Sequence, residues 1–135
     1  MPTAGSTYTL SGTTSLPFTA AVARVRETLG EEGFGVLTEI DVQATLREKL
    51  GEEMPPYLIL GACNPPYAHR ALALEPELGT LLPCNVAVYE RDGETHVSAA
   101  DPVVMLSIVD NPELDEVASE IRGRVERAVA RVWAA

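Results

Sequence analysis

The sequence predicts a single α+β domain over residues 1–135, with one mixed, twisted sheet of about five strands and helices packed on it. Three observations lead there. Segments with apolar residues at alternate positions take turns with segments whose apolar residues recur every three or four positions, the signatures of strand and helix. The pair Asp92-Gly93 between two strand-like runs marks a hairpin, so the sheet cannot be purely parallel. The chain is 46% hydrophobic and 22% charged over 135 residues, the make-up of one globular domain with a core of its own.

Residues 1–6 read as a loose tail. Tyr8-Thr9-Leu10-Ser11 begins the first strand, and a helix follows from Leu16 to Glu32, with Phe18, Val22, Val25 and Leu29 on one face. Gly30 and Gly33 stop it. Phe34 to Asp41 alternates as a second strand, with Phe34, Val36, Thr38 and Ile40 sharing a side. Asp41 caps a short helix, Val42 to Leu50, which Gly51 closes. Tyr57 to Cys63 is apolar on both faces, as a central strand should be. Asn64 is then an N-cap and Pro65 the first residue of a helix that runs to Leu78, with Gly79 ending it. Asn85–Glu90 and Thr95–Ala100 are the hairpin strands. Asp101-Pro102 and Asn111-Pro112 repeat the cap-then-proline device for a short helix and for the terminal one. That last helix buries Leu114, Val117, Ile121, Val125, Ala128 and Val132, and its acids lead while its arginines trail, which suits the helix dipole.

Composition excludes several function classes. Twenty acidic residues against ten basic ones give a net charge of -10, and no dense basic patch is present to meet a phosphate backbone, so nucleic acid is not an expected partner. No apolar run is long enough to span a membrane, and no apolar stretch after Met1 resembles a secretory signal. The expected setting is the cytoplasm, with both cysteines reduced. Neither G-x-G-x-x-G, G-x-x-x-x-G-K nor G-x-S-x-G occurs, which removes the common nucleotide-binding loops and the α/β-hydrolase elbow.

The chemistry-bearing residues gather at the strand-to-helix junction. Cys63 ends the apolar strand one residue before the cap, where a helix N-terminus favours a thiolate; the plainer reading is a small buried hydrophobe. His69 lies one turn into the same helix and is either a base reaching back to Cys63 or a solvated side chain. Arg70 offers a fork to a carboxylate or phosphate, or is simply a surface arginine. Cys63, His69, Cys84 and His96 would complete a zinc inventory, but they lack the close pairs that structural zinc sites use. A haem on a single histidine stays among the ligands the sequence allows.

The blocks Gly33-Phe34-Gly35-Val36-Leu37-Thr38-Glu39-Ile40-Asp41, Leu60-Gly61-Ala62-Cys63-Asn64-Pro65, Ala68-His69-Arg70-Ala71-Leu72 and Leu81-Leu82-Pro83-Cys84-Asn85-Val86 resemble the signature of domain-of-unknown-function family 302, as does Asp110-Asn111-Pro112-Glu113-Leu114. The resemblance covers about residues 17–130. It implies a compact α+β domain of bacterial and archaeal type that often forms a dimer, and it implies no reaction. The motif positions it carries over are Cys63, Asn64, Pro65, His69, Arg70, Pro83, Cys84 and Asn85.

Three functional readings follow. The first is a cytoplasmic homodimer that binds a small ligand, metal or haem near Cys63-Asn64-Pro65, with Asn64, Arg70, Cys84 and Asn85 as ligand-binding residues. The second is a thiol-dependent enzyme or redox protein with Cys63 and His69 as its catalytic pair. The third is a purely structural interaction domain, whose apolar tip at Val132-Trp133 meets a partner.

Overall fold

The computed structural model describes residues 1–3 and 6–135. Strands β1 (Thr9–Thr14), β2 (Gly35–Asp41), β3 (Tyr57–Cys63), β4 (Cys84–Arg91) and β5 (Glu94–Ala100) are interleaved with helices α1 (Phe18–Glu31), α2 (Val42–Leu50), α3 (Pro65–Leu74), α4 (Pro102–Ser107) and α5 (Asp115–Trp133). The strands form one sheet in the order β1-β5-β4-β3-β2. The class is α+β, as expected, with the expected five strands. The pairing is antiparallel throughout rather than mixed. A helix between two strands suggested a parallel crossover, but α2 and α3 are excursions in long hairpin connections: each leads the chain back beside the strand it has just left. Only α1 crosses the sheet, and it carries β2 to the edge opposite β1.

Most local punctuation acts as the sequence foretold. The Asp41 carboxylate accepts from the Ala44 amide at 2.9 Å, and the Asp101 carboxylate accepts from the Val103 amide at 2.9 Å. Asp92 and Gly93 both take positive φ, 52° and 77°, the backbone of a type I′ turn. Two expectations are corrected. The third helix ends at Leu74, not Leu78, because Pro76 holds Glu75 in an extended conformation and a short 3₁₀ turn, Pro76–Thr80, follows. In β2 a bulge between Val36 and Thr38 splits the supposed common face. Val36 lies opposite Ala62, whereas Thr38 lies opposite Gly61 and Ile40 opposite Ile59 on the other side.

Helices α1 and α5 pack against each other and lie on the same face of the sheet. Ala21, Val25 and Leu29 of α1 and Val117, Val125, Val129 and Val132 of α5 meet Leu58, Leu60, Val86, Val88, Val97 and Ala99 in a single core. The opposite face carries no long helix and is half-exposed; there Tyr57, Tyr89 and His96 stack in a row, with centroids 5.0 and 4.9 Å apart. No helix is long and apolar enough to cross a membrane among the described residues.

The chain ends are tied to the sheet. Residues 1–3 do not hang free as a tail: the Thr3 amide donates to Ser11 and the Thr13 amide donates to Met1, extending the sheet past β1. Ala4 and Gly5, within the same expected tail, lie outside the described residues. Trp133 is packed on its own domain, with its indole N–H donating to the Val97 carbonyl at 3.0 Å. Its ring lies flush against Gly12, where a Cβ would come within 2.6 Å of both the ring and the Met1 carbonyl oxygen. Gly12→Ala should therefore lower stability by about 1–3 kcal/mol, read as a shifted denaturant midpoint at constant slope. An unchanged midpoint would mean that the indole has room to move aside.

Candidate functional site

The junction after β3 is built around a buried glutamate. Glu32, just past the end of α1, is 9% exposed in a chain where most acids are solvated. Its carboxylate accepts from Arg127 at 3.0 and 3.1 Å and from Arg131 at 3.2 Å, both on α5. Its carbonyl accepts from Arg124 at 3.3 Å and from the Asn64 amide group at 3.2 Å. The Arg127 hydrogen bond, aided by the charges of Arg127, Arg131 and Arg124, outweighs burial and holds the Glu32 carboxyl below the ordinary range.

The Asn64 side chain is therefore spent on Glu32. It does not cap α3 as the sequence suggested, although its backbone carbonyl still accepts from the Ala68 amide at 2.9 Å. The reason is tertiary. The Glu32 carbonyl just past α1 has no helical amide partner and accepts instead from Arg124 and the buried Asn64 amide, and it is no part of the local sequence around Asn64.

Beside Asn64, an apolar cavity of about 330 Å³ opens at the end of the sheet. Cys63 and Asn64 border it from the end of β3, Cys84 and Asn85 from the start of β4, and Ala68, Ala71 and Leu72 from α3. Leu82 and Pro83, Met105 of α4 and Ile121 of α5 complete much of the wall, which is almost entirely carbon. The β2 bulge contributes Leu37, an exposed leucine that stands at this cavity. Four of the six residues singled out from the sequence thus come together: Cys63, Asn64, Cys84 and Asn85.

The other two do not join them. His69 and Arg70 are exposed on α3 and neither lines the cavity. Arg70 instead borders a second, more polar pocket with Gly33, Asn64, Pro66, Tyr67 and Arg124. His96 lies in the aromatic stack, next to Tyr89, so the four soft donors are not one cluster. Among the described residues, no group of three or more His, Cys, Asp and Glu side chains is placed to hold a metal ion. Sequence reasoning missed the cavity's hydrophobic lining and the grouping of Tyr67 with Arg124. Leu72 and Met105 carry no chemical signal of their own, and Arg124 read as one more arginine suited to the end of a helix.

Both cysteines are free thiols. Burial pushes the Cys84 thiol up to about 11, with a smaller contribution from neighbouring Cys63. Cys84 is thus protonated at neutral pH and behaves as a small apolar wall residue.

A family model described as "Domain of unknown function DUF302" matches residues 10–132. The chain belongs to the DUF302 family. The crystal structure of an uncharacterized conserved DUF302 protein from Bacillus stearothermophilus superposes with a TM-score of 0.89 at 31% identity, covering 94% of this chain and 99% of that one. No functionally curated protein matches the sequence. The DUF302 fold is therefore shared over nearly the full length of both chains, and the junction that holds the cavity lies inside the matched region.

Two measurements check the electrostatics of this DUF302 site. A depressed carboxyl stabilises the fold above its unfolded value and ceases to do so as pH falls through its folded value. The stability gap between the wild type and Glu32→Gln should be full near neutral pH and close as pH drops below the ordinary value of 4.5. Urea unfolding across that range measures it, and a gap that persists undiminished in acid would show that the carboxylate charge is not what matters. For Cys84, a thiol at about 11 leaves on the order of one part in a thousand as thiolate at mildly alkaline pH. Iodoacetamide labelling followed by peptide mapping should show its rate rising about tenfold per pH unit. Rapid labelling of Cys84 at neutral pH would contradict the assignment.

Proposed function

We propose that this DUF302 protein is a cytoplasmic binding module that takes a small, mostly apolar molecule into the cavity at the Cys63-Asn64-Pro65 junction and works as a homodimer. The observation that carries the reading is the cavity itself, about 330 Å³ of carbon-lined space bordered by few polar groups, among them Asn64, Asn85 and the two thiols. Small-molecule sites have this character: apolar walls confer affinity, and a few polar groups fix orientation. Neither histidine lines it, so the chemistry on offer favours an organic molecule over a haem on a histidine.

Two unbridged cysteines fit a reducing compartment. The half-exposed sheet face, with Ile40, Ile59 and the Tyr57-Tyr89-His96 stack, is the surface that supports a second copy. The thiol-enzyme reading, which pairs Cys63 with His69, has less support, because His69 does not line the cavity and, among the described residues, no hydrogen-bonded base accompanies Cys63.

Fluorobenzene, titrated in ¹⁹F NMR, tests the cavity. Saturable binding is expected for the wild type, with at least about a tenfold loss in Ala68→Phe, whose ring would occupy the space. Leu72→Trp, at a partly exposed position on the same wall, gives a second variant that does not burden the core. Equal behaviour of wild type and both variants would overturn the reading. Native mass spectrometry of the same preparations reports co-purifying molecules and whether the protein is a dimer.

A further inference from the structure

The second pocket has an electrostatic peculiarity. The chain has twenty acidic residues and ten basic ones, so a cation seldom lacks a carboxylate close by. Arg24, Arg26, Arg47, Arg91, Arg122, Arg127 and Arg131 all have one within 4 Å. Among the described residues, Lys49, Arg70 and Arg124 do not. Lys49 lies in the last turn of α2, whereas Arg70 and Arg124 share a pocket although they come from different helices.

Both guanidinium groups lie over one aromatic ring. The central carbon of Arg70 is 5.8 Å from the centroid of Tyr67, and that of Arg124 is 5.4 Å away. Both arginines also border the same pocket, so two positive charges converge on one ring and one pocket, where an anion would be attracted to both. Internal carboxylates do not fill that role. The Glu32 carboxylate is hydrogen-bonded by Arg127 and Arg131; Arg124 bonds the Glu32 carbonyl and feels the carboxylate only as a smaller charge interaction without a direct ion pair. Glu120 accepts from the Tyr67 hydroxyl at 3.4 Å and forms an ion pair with neither arginine. Among the described residues the Arg124 Nε–H is buried with no acceptor, as is the Arg131 Nε–H in the Glu32 network, so the side chains of α5 are not all satisfied from within the fold. The start of α3 adds little, because Pro65 and Pro66 have no N–H to offer, so the arginines themselves must supply the attraction.

We propose that Arg70 and Arg124, braced on Tyr67, bind an oxyanion: the carboxylate or phosphate group of a small molecule. Guanidinium forks match such groups in shape and charge, and both arginines border the pocket that would receive one. The site is distinct from the apolar cavity, although Asn64 borders both, and it stands or falls independently of what the cavity takes.

Arginine Nε–H resonances in ¹H–¹⁵N NMR, titrated with inorganic phosphate and separately with acetate at constant ionic strength, test the proposal. The Arg70 and Arg124 signals should move saturably, while those of Arg47 and Arg91 stay in place. Arg70→Gln and Arg124→Gln should each weaken binding by about tenfold or more. Whichever anion binds more tightly identifies the group as phosphate or carboxylate. Uniform shifts of all arginines, no saturation with either anion, or full affinity in Arg70→Gln would overturn it. Arg70 is exposed on α3 and makes no ion pair, so that variant reads binding without a folding defect.

Discussion

Glu32 holds the junction of α1, α3 and α5 together. A buried carboxylate is costly unless it is both paired and hydrogen-bonded, and Glu32 is both, through Arg127 and Arg131. The same residue's carbonyl binds Arg124 and Asn64. One position therefore joins the end of α1, the length of α5 and the start of α3. Those elements bring the cavity and the polar pocket side by side: Asn64 borders both, and its rotation is fixed by the bond to Glu32.

The cavity exists because small or bent elements meet where larger ones would close the gap. Ala62, Ala68 and Ala71 face it, and Pro76 stops α3 before another turn can be laid down beside it. At Gly61 the neighbouring strands close tightly instead. A Cβ there would lie 2.1 Å from the Thr38 hydroxyl and 2.7 Å from the Pro83 ring, so that position has no room for a side chain. Tight packing on one side of β3 and open space at its end are complementary consequences of where glycine, alanine and proline fall in the chain. The thiols belong to this packing as much as to chemistry, since a protonated Cys84 is one more apolar wall.

The polar pocket follows a different logic. Its arginines come from α3 and α5 and form no direct ion pair among the described residues, since the Glu32 carboxylate is hydrogen-bonded by Arg127 and Arg131 and the Glu120 carboxylate accepts from the Tyr67 hydroxyl. In an acidic protein, local positive potential survives only where the fold keeps carboxylates occupied elsewhere. The Glu32 network does this for Arg124, as well as fixing the helices. The residues that fix the helices and the arginine that borders the polar pocket thus lie along one stretch of α5.

The elements were legible in the sequence because caps, turns and apolar periodicity act over a few residues. Asp41, Asp101, the Asp92-Gly93 turn and the stripe of α5 all perform as their local patterns require. Local patterns also put Cys63-Asn64 at the end of one strand and Cys84-Asn85 at the start of another, and the fold sets those two strands side by side. The early stop of α3 was also written in the sequence, at Pro76. What the chain could not reveal locally was partnership across distance. Antiparallel order, the bulge that reorients Leu37, the Glu32 carbonyl that captures Asn64, and the separation of His69 and His96 from the cavity depend on which segments the core brings together. Secondary structure follows from short-range sterics and hydrogen bonding, whereas a site depends on side chains far apart in sequence, and only packing around a shared core decides which of them meet.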